Sequence, residues 1–430
     1  MKKRAFVHCF LFCAFCASLW LAFLVLLAAI IRPMILPSER AANFHYAIRN
    51  VVNAAEALER QGREIIHLNI GDPQAFGFKP PANVIEAVER ATRDDFTGYS
   101  HSAGLRSARE VVAEFATALG SATTPADVII TSGASEGADL LLTSLLNPGD
   151  EVILPAPGYP IYSAIINKLD ARARYYYLHQ KTNWQPSLDE IRSLINARTK
   201  AIILINPSNP TGAITPDETT KRVLELAAEH DILVISDEVY RDLCFQEAPT
   251  SASVLAQGSG ATVAVLESLS KTHMLSGWRI GWMRLTPATH ARELMEAVTR
   301  LAGGRLCSPT PAQYAIKPAL LGDRRSITEF KAEILKRRDL AAKRVARIDG
   351  LSCSLPEAAF YLMIKVEDMG DRVDEQFVLD LLEASNVLVV HGSGFGSDPR
   401  AGYFRLVYLA GEELLGSAFD AIERSLPVLV

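Results

Sequence analysis

From about residue 127 onward, short runs of apolar and β-branched residues alternate with longer stretches whose apolar positions recur at helical spacing. The runs at 127–131, 151–154, 174–179, 200–205, 232–236, 262–267 and 279–285 predict seven strands, and stretches such as 136–146 and 216–230 predict helices between them. Runs that are apolar almost throughout suit strands covered on both faces, the condition of a mostly parallel sheet between helices. The expected class is therefore α/β. The last run follows a polar loop directly and reads as an antiparallel edge strand. A long helical region over about 288–344 comes next, then a smaller α+β portion. This divides the chain into an apolar segment (1–33), an arm with part of a small domain (34–80), a large domain (81–320) and the rest of the small domain (321–430).

The first 33 residues depart from that pattern. Lys2, Lys3 and Arg4 precede an uncharged run of 27 residues, 5–31, longer than the ~20 a helix needs to cross a bilayer. Read literally it is a single-pass anchor, and the charges ahead of it favour an inside N-terminus and an exported body. It is too long for the apolar centre of a signal peptide, and no convincing small-residue cleavage site follows it. The competing reading is a mis-assigned start, with translation beginning at Met34 and the protein cytoplasmic. The chemistry of the body favours the second reading, so a membrane is a partner only if 1–33 are translated.

Composition narrows the classes further. A chain of 430 residues with 49% hydrophobic content can bury one large and one smaller core. The formal charge of −5 shows no basic face for nucleic acid. Of six cysteines, Cys9, Cys13 and Cys16 fall in the apolar run, while Cys244, Cys307 and Cys353 are scattered. Scattered thiols make no disulfide framework and fit a reduced compartment. The Cys13–Cys16 spacing lies inside apolar sequence and is not read as a redox or metal motif, and no metal site is expected.

Candidate chemistry lies just past the predicted strands, where open α/β sheets bind ligands. Lys271 stands in Ser268-Leu269-Ser270-Lys271, after Ser236-Asp237-Glu238-Val239-Tyr240 and eight residues before Arg279. A lysine so placed suits a Schiff base with pyridoxal phosphate. That cofactor's aldehyde needs an amine and its ring nitrogen an anion; its phenolic oxygen needs donors, and its phosphate cations, hydroxyls and backbone N–H groups. Asp237 offers the anion, Asn209 and Tyr240 the donors, and Tyr159 a ring to stack. Thr131-Ser132-Gly133-Ala134-Ser135 joins a strand to a helix whose first N–H groups can cradle a phosphate. Taken singly, each has an ordinary reading: Asp237 as a helix cap, Asn209 as a turn, Tyr159 as loop packing, Arg279 as a surface ion pair and Lys271 as a solvated amine. Their co-occurrence in order is what outweighs those readings.

In this combination the chain resembles the class I and II, aspartate aminotransferase-like, fold-type I pyridoxal phosphate enzymes, from Met34 to the C-terminus. The resemblance implies that Lys271 binds the cofactor and then moves the substrate proton. It also implies that Asp237 binds the pyridine nitrogen, Asn209 and Tyr240 the phenolic oxygen, and Ser268, Ser270, Arg279 and the Ala134–Ser135 backbone the phosphate. Tyr99, in Gly98-Tyr99-Ser100, matches a tyrosine that reaches the phosphate of a neighbouring subunit, which implies a homodimer with shared sites. Arg405, in Phe404-Arg405-Leu406, matches the arginine that holds the substrate carboxylate bidentately, a geometry lysine cannot reproduce. Gly71 matches a backbone contact on the same end, and Arg49 a residue that helps close the site.

Within the family, His45-Tyr46-Ala47-Ile48-Arg49, Leu68–Pro73, Arg305-Leu306-Cys307 and Val390-His391-Gly392-Ser393-Gly394-Phe395-Gly396 resemble bacterial and archaeal alanine aminotransferases. The last run looks like a dinucleotide-binding glycine loop, but the pattern after it opens no helix, so that reading is rejected. The implied reaction is ping-pong transamination of alanine and 2-oxoglutarate to pyruvate and glutamate. Aspartate or aromatic donors, or a lyase or synthase on the same scaffold, are the alternatives, because few pocket residues separate them.

Overall fold

The computed structural model describes residues 36–38, 40, 49–287 and 289–429. The apolar run 5–31 and Cys9, Cys13 and Cys16 lie outside these. Among the described residues no helix is long and apolar enough to cross a membrane. Residues 44–430 form one compact unit, and the fold is that of this unit.

Two short strands, β1 (Ile66–His67) and β11 (Val387–Leu388), pair in parallel. The main sheet has seven strands: β2 (Val128–Thr131), β3 (Glu151–Ala156), β4 (Arg172–Tyr177), β5 (Thr199–Ile205), β6 (Leu233–Asp237), β7 (Val263–Ser268) and β8 (Gly281–Thr286). Their order is β2-β8-β7-β6-β5-β3-β4, and β8 alone runs antiparallel to its neighbours. The antiparallel expectation for the last run holds, but the edge expectation does not: β8 lies between β2 and β7 and is buried along nearly its whole length.

Strand alternation decides which core each side chain joins. Ile203, Ile235, Ala264 and Leu266 pack on one face with Leu141 and Leu142 of the helix Ala134–Leu145 and Val298 of Arg292–Gly304. Ile202, Leu204, Val234, Val263 and Val265 pack on the other with Val223, Leu224 and Ala227 of Asp217–Glu229. Each such valine, leucine or isoleucine, fully buried, contributes about 1.5–3 kcal/mol of transfer free energy. Coverage on both faces explains why the middles of these strands carry no polar residue.

A four-stranded antiparallel sheet of β9 (Leu351–Cys353), β10 (Tyr361–Val366), β12 (Val390–His391) and β13 (Tyr403–Val407) has the order β12-β13-β10-β9. Phe360, Phe377, Phe404 and Phe419 fill its core, with Val51, Ala55 and Leu58 of the helix Arg49–Arg60. The helical region expected at 288–344 is divided into Arg292–Gly304, Thr310–Gln313, Ile316–Leu321 and Arg325–Val345. The first break has a local cause: Arg305 Nη2 and Ser308 Oγ both donate to the Ile130 carbonyl of β2, at 3.0 Å each, which pins 305–308 against the sheet. Directly after His391 the chain makes a single 3-10 turn, Gly392–Phe395, and no α-helix opens there.

Candidate active site

Hydrogen-bond register brings the chemistry to one end of the main sheet. Ile205 pairs with Asp237, Asp237 with Leu266, and Ser268 and Thr131 both with Gly281. The loops leaving β2, β5, β6 and β7 therefore open on the same side, around a cavity of about 550 Å³. Gly71, Ala134, Ser135, Tyr159, Asn209, Asp237, Tyr240, Ser268, Ser270, Lys271, Arg279 and Arg405 all line it, although their positions in the chain span more than 300 residues. Tyr99 does not line it and is 84% exposed. Arg49 begins the helix Arg49–Arg60, but its side chain lies outside the described residues, whereas Val52 of that helix does line the cavity.

At the turn Ser132-Gly133, Gly133 takes a φ of +78°, and a Cβ there would stand 2.4 Å from Arg279 Nη2. Only glycine permits both the backbone conformation and the approach of the guanidinium. Arg279 itself bridges two loops, donating from Nη1 to the Ser276 carbonyl at 2.9 Å and from Nη2 to the Ser132 carbonyl at 3.2 Å. Beside it the helix Ala134–Leu145 presents its first N–H groups, which have no partner within the helix. Cation, helix end and the Ser268 and Ser270 hydroxyls line one part of the cavity, an arrangement that could hold a phosphate.

Lys271 Nζ donates to the Gly71 carbonyl at 2.7 Å. Burial pushes its pKa down to about 8; nearby Asp72 opposes this and Arg405 and Arg279 add to it. The amine is thus partly neutral, and nucleophilic, near neutral pH. Gly71 can sit there only without a side chain, because a Cβ would fall 2.3 Å from Tyr361 Oη and 2.8 Å from Phe360 Cε2. Asp72 is held in turn by Ser276 Oγ, which donates to its Oδ1 at 2.7 Å.

Asp237 closes β6 in a buried position. Burial raises its pKa, against the hydrogen bonds it accepts from Tyr162 Oη at 2.8 Å and the Val239 N–H at 3.2 Å, and no cation is among the causes. A buried carboxylate with neutral donors alone suits a protonated ring nitrogen as its counter-charge. Tyr240 Oη lies 2.6 Å from Tyr361 Oη, and burial keeps the Tyr240 phenol protonated well above its usual range. Arg405 donates from Nη1 to Asn209 Oδ1 at 3.1 Å and from Nη2 to the Asn69 carbonyl at 2.5 Å. The cavity therefore has the donor set for a group bearing an aldehyde, a pyridine and a phosphate, with an arginine for a carboxylate. Among the described residues no cluster of three or more histidine, cysteine or acidic side chains is placed to hold a metal ion.

Sequence reasoning missed Asn69, Asp72, Tyr162, Ser276 and Tyr361, all on the same cavity. One signal was available for Tyr162, since a tyrosine amid the apolar positions of a helix must find a partner for its hydroxyl. No sequence pattern points that partner to a residue 75 positions away.

The profile of the family "Aminotransferase class I and II" matches residues 63–422. Glutamate-pyruvate aminotransferase AlaA of Haemophilus influenzae is 35% identical over 397 residues, 90% of this chain and 97% of that protein. Alanine aminotransferase of Mycobacterium bovis is 35% identical over 392 residues, covering 88% and 89%. The solved structure of alanine aminotransferase from Pyrococcus furiosus superposes with a TM-score of 0.89 at 39% identity, covering 91% of this chain and all of that one. Buried lysine, strand-end aspartate, the arginine beside a helix end and these likenesses agree: the chain belongs to the class I and II aminotransferases and is a pyridoxal phosphate-dependent transaminase of fold type I.

Proposed function

We propose that this enzyme transfers the amino group of alanine to 2-oxoglutarate, releasing pyruvate and glutamate in two half-reactions at one site. The observation that carries the site reading is Lys271, a desolvated amine with a pKa near 8 that faces the same cavity as Asp237 and Arg405. The named activities of the relatives above support the choice of alanine.

Pyridoxal phosphate, when bound, supplies an aldehyde that takes up the amino group and a conjugated ring that accepts electrons from the substrate Cα. Asp237 holds the ring nitrogen, and Asn209 and Tyr240 donate to the phenolic oxygen. Tyr159, which lines the cavity, would pack against the ring. Ala134, Ser135, Ser268, Ser270 and Arg279 hold the phosphate. Arg405 and the Gly71 backbone take the substrate carboxylate, and Arg49 closes over its far end. Lys271 Nζ takes the proton from Cα of the amino acid and, in the return half-reaction, gives one to Cα of the new amino acid. One amine thus serves as base and then acid, which requires a pKa near the working pH.

The exposure of Tyr99 supports a homodimer in which it completes the phosphate site of the second subunit. Mixing inactive Tyr99→Ala and Lys271→Ala proteins then regenerates one intact site per hybrid dimer, so activity returns; its failure to return would exclude a shared site. Residues 81–320 are read as the large domain and the flanking segments as the small one. The unpaired thiols Cys244, Cys307 and Cys353 agree with a reducing, cytoplasmic setting.

A panel of amino donors with 2-oxoglutarate tests the substrate. Alanine is expected to give the highest kcat/KM. If aspartate or an aromatic donor exceeds it, the substrate is wrong while the reaction class stands. Release of many equivalents of pyruvate per active site from an amino acid without any acceptor, rather than the single equivalent of one half-reaction, would point to a lyase.

A further inference from the structure

The glycine-rich run 390–396, which forms a 3-10 turn after β12, has a role in the geometry of the cavity. β12 pairs with β13, placing Val390 opposite Arg405, and the turn Gly392–Phe395 then folds back over that arginine. The Arg405 guanidinium carbon lies 4.6 Å from the centre of the Phe395 ring and 4.5 Å from that of Tyr361. All three side chains are at least 95% buried.

The turn is anchored independently of Arg405. Ser393 donates to Asp374 twice, from its N–H to Oδ2 at 2.6 Å and from Oγ to Oδ1 at 2.7 Å. His391 Nδ1 accepts from the Gly394 N–H at 3.1 Å and lies 2.8 Å from Ser393 Oγ. A Cβ on Gly392 would stand 2.7 Å from Tyr403 Cβ, so the turn is pressed directly on β13. The Phe395 carbonyl accepts from the Gly158 N–H at 2.8 Å, next to Tyr159 on the cavity wall. This is more fixation than a surface turn requires, and it converges on one ring.

We propose that Phe395 is a positioning residue for the Arg405 guanidinium: with Tyr361 it fixes the fork's orientation and keeps water from its faces, and so sets the affinity for the carboxylate that every substrate carries. Aromatic faces attract a guanidinium and lower the dielectric around it, which strengthens its charge-assisted bonds to an incoming carboxylate. The inference rests on the reading of Arg405 as the carboxylate anchor. It predicts a distinctive pattern. Amino acid and oxo acid share this one group, so both must respond by the same factor, whereas a residue that selects side chains would affect them unequally.

The test compares Phe395→Leu, Phe395→Tyr and Arg405→Lys in the cofactor-loaded enzyme. KM is measured for alanine and for 2-oxoglutarate, and maleate, a dicarboxylate with neither amine nor oxo group, is titrated against the absorbance of the bound cofactor. Phe395→Leu is expected to raise both KM values and the maleate Kd together, about tenfold, leaving cofactor affinity and the unliganded spectrum as they were. Phe395→Tyr keeps an aromatic face, and Phe395 lines an adjoining cavity of about 120 Å³, so this variant is expected to restore all three constants. If Phe395→Leu changes none of them while Arg405→Lys weakens all three, the positioning role is wrong and the anchor reading stands. Unequal shifts for the two substrates also overturn it. If Arg405→Lys changes nothing, the anchor reading fails and takes the inference with it. Should Phe395→Leu not fold, Ser393→Ala loosens the turn while keeping the ring and is expected to raise the same three constants together, about threefold; no change there overturns the proposal.

Discussion

Tyr162 donates its hydroxyl to Oδ2 of Asp237 at 2.8 Å, and both residues are almost wholly shielded from water. Burial raises the Tyr162 pKa well above the usual phenol value, with the Asp237 carboxylate adding to the effect, so the hydroxyl remains a donor throughout the working range. The bond favours the charged form of Asp237 against the cost of burying it. Tyr162→Phe removes about 1.5–3 kcal/mol of charge-assisted bonding. The expected result is a fall in kcat of about tenfold or more with KM within about twofold, because the lost contact acts on the ring-nitrogen side and not on the carboxylate side. Steady-state kinetics checks this, and an unchanged kcat would mean that Asp237 keeps its charge without the tyrosine.

Lys271 predicts a pH dependence in the protein before cofactor is added. Only the neutral amine attacks an aldehyde, so the rate of pyridoxal phosphate uptake is expected to rise through about pH 8 and level off above it. A solvated lysine would still be rising near its ordinary value of 10.5. The linkage has a definite sign: the unfolded chain binds this proton up to about 10.5 and the folded one only up to about 8, so stability gains from this group as pH rises between the two. Stopped-flow absorbance checks the first statement and denaturation across that window the second. Lys271→Ala is expected to abolish turnover while leaving the fold intact.

Gly71→Ala is expected to disable the site without touching a reacting atom. The new methyl would drive into Tyr361 Oη and Phe360, displacing the hydroxyl that pairs with Tyr240 and shifting the carbonyl that receives Lys271. Overpacking of this kind costs about 1–3 kcal/mol of stability. Activity should fall by more than that figure alone implies, since a reacting group misplaced by about 1 Å can lose about a hundredfold in rate. Thermal melts and kinetics of the variant read the two effects separately.

Arg284 predicts a stability effect remote from the chemistry. It is 2% exposed, and its Nε donates to Glu267 Oε2 at 2.8 Å, an atom that also accepts from Trp282 Nε1 at 2.9 Å. Burial alone would raise the Glu267 pKa, yet Arg284 and Arg241 outweigh it and hold the carboxyl below its usual range. Arg284→Met removes the cation bonded to that carboxylate, leaving it Arg241 at longer range and the Trp282 N–H, and is expected to cost about 3 kcal/mol. Adding Glu267→Leu should recover most of the loss, because the penalty lies in the poorly paired charge. Since the Glu267 pKa is depressed in the folded state, the stability it contributes is present above the unfolded carboxylate pKa and is lost as pH falls through the folded one. Urea unfolding at neutral and acid pH checks both.

The strands and the residues at their ends were readable because a buried parallel strand leaves a strong apolar mark and the polar residues that close it stand out. Asp237 after Leu-Val-Ile-Ser is such a case, and Lys271 after Ser268 and Ser270 another. Predicted strand ends differ from the observed ones by a residue or two, because partner register and not propensity ends a strand. The placement of β8 inside the sheet was not readable, since antiparallel entry between β2 and β7 depends on contacts far along the chain. The same holds for Tyr361 against Tyr240, 121 residues apart, and for Phe395 against Arg405, where a glycine-rich run reveals that the chain turns but not what the turn covers. The break after Gly304 was hidden for a related reason: the carbonyl that captures Arg305 and Ser308 belongs to β2.

The row Ile205–Asp237–Leu266 fixes Asp237 within three adjacent strands that are buried on both sides. Its backbone therefore has the rigidity of the central strands, and moving it would mean opening the sheet itself. The cavity has one wall that cannot adjust. When a long oxo acid follows a short amino acid into the same space, the accommodation must come from the opposite wall, so isotope exchange at the backbone amides of 233–237 should be as slow when the enzyme is turning over as when it is at rest.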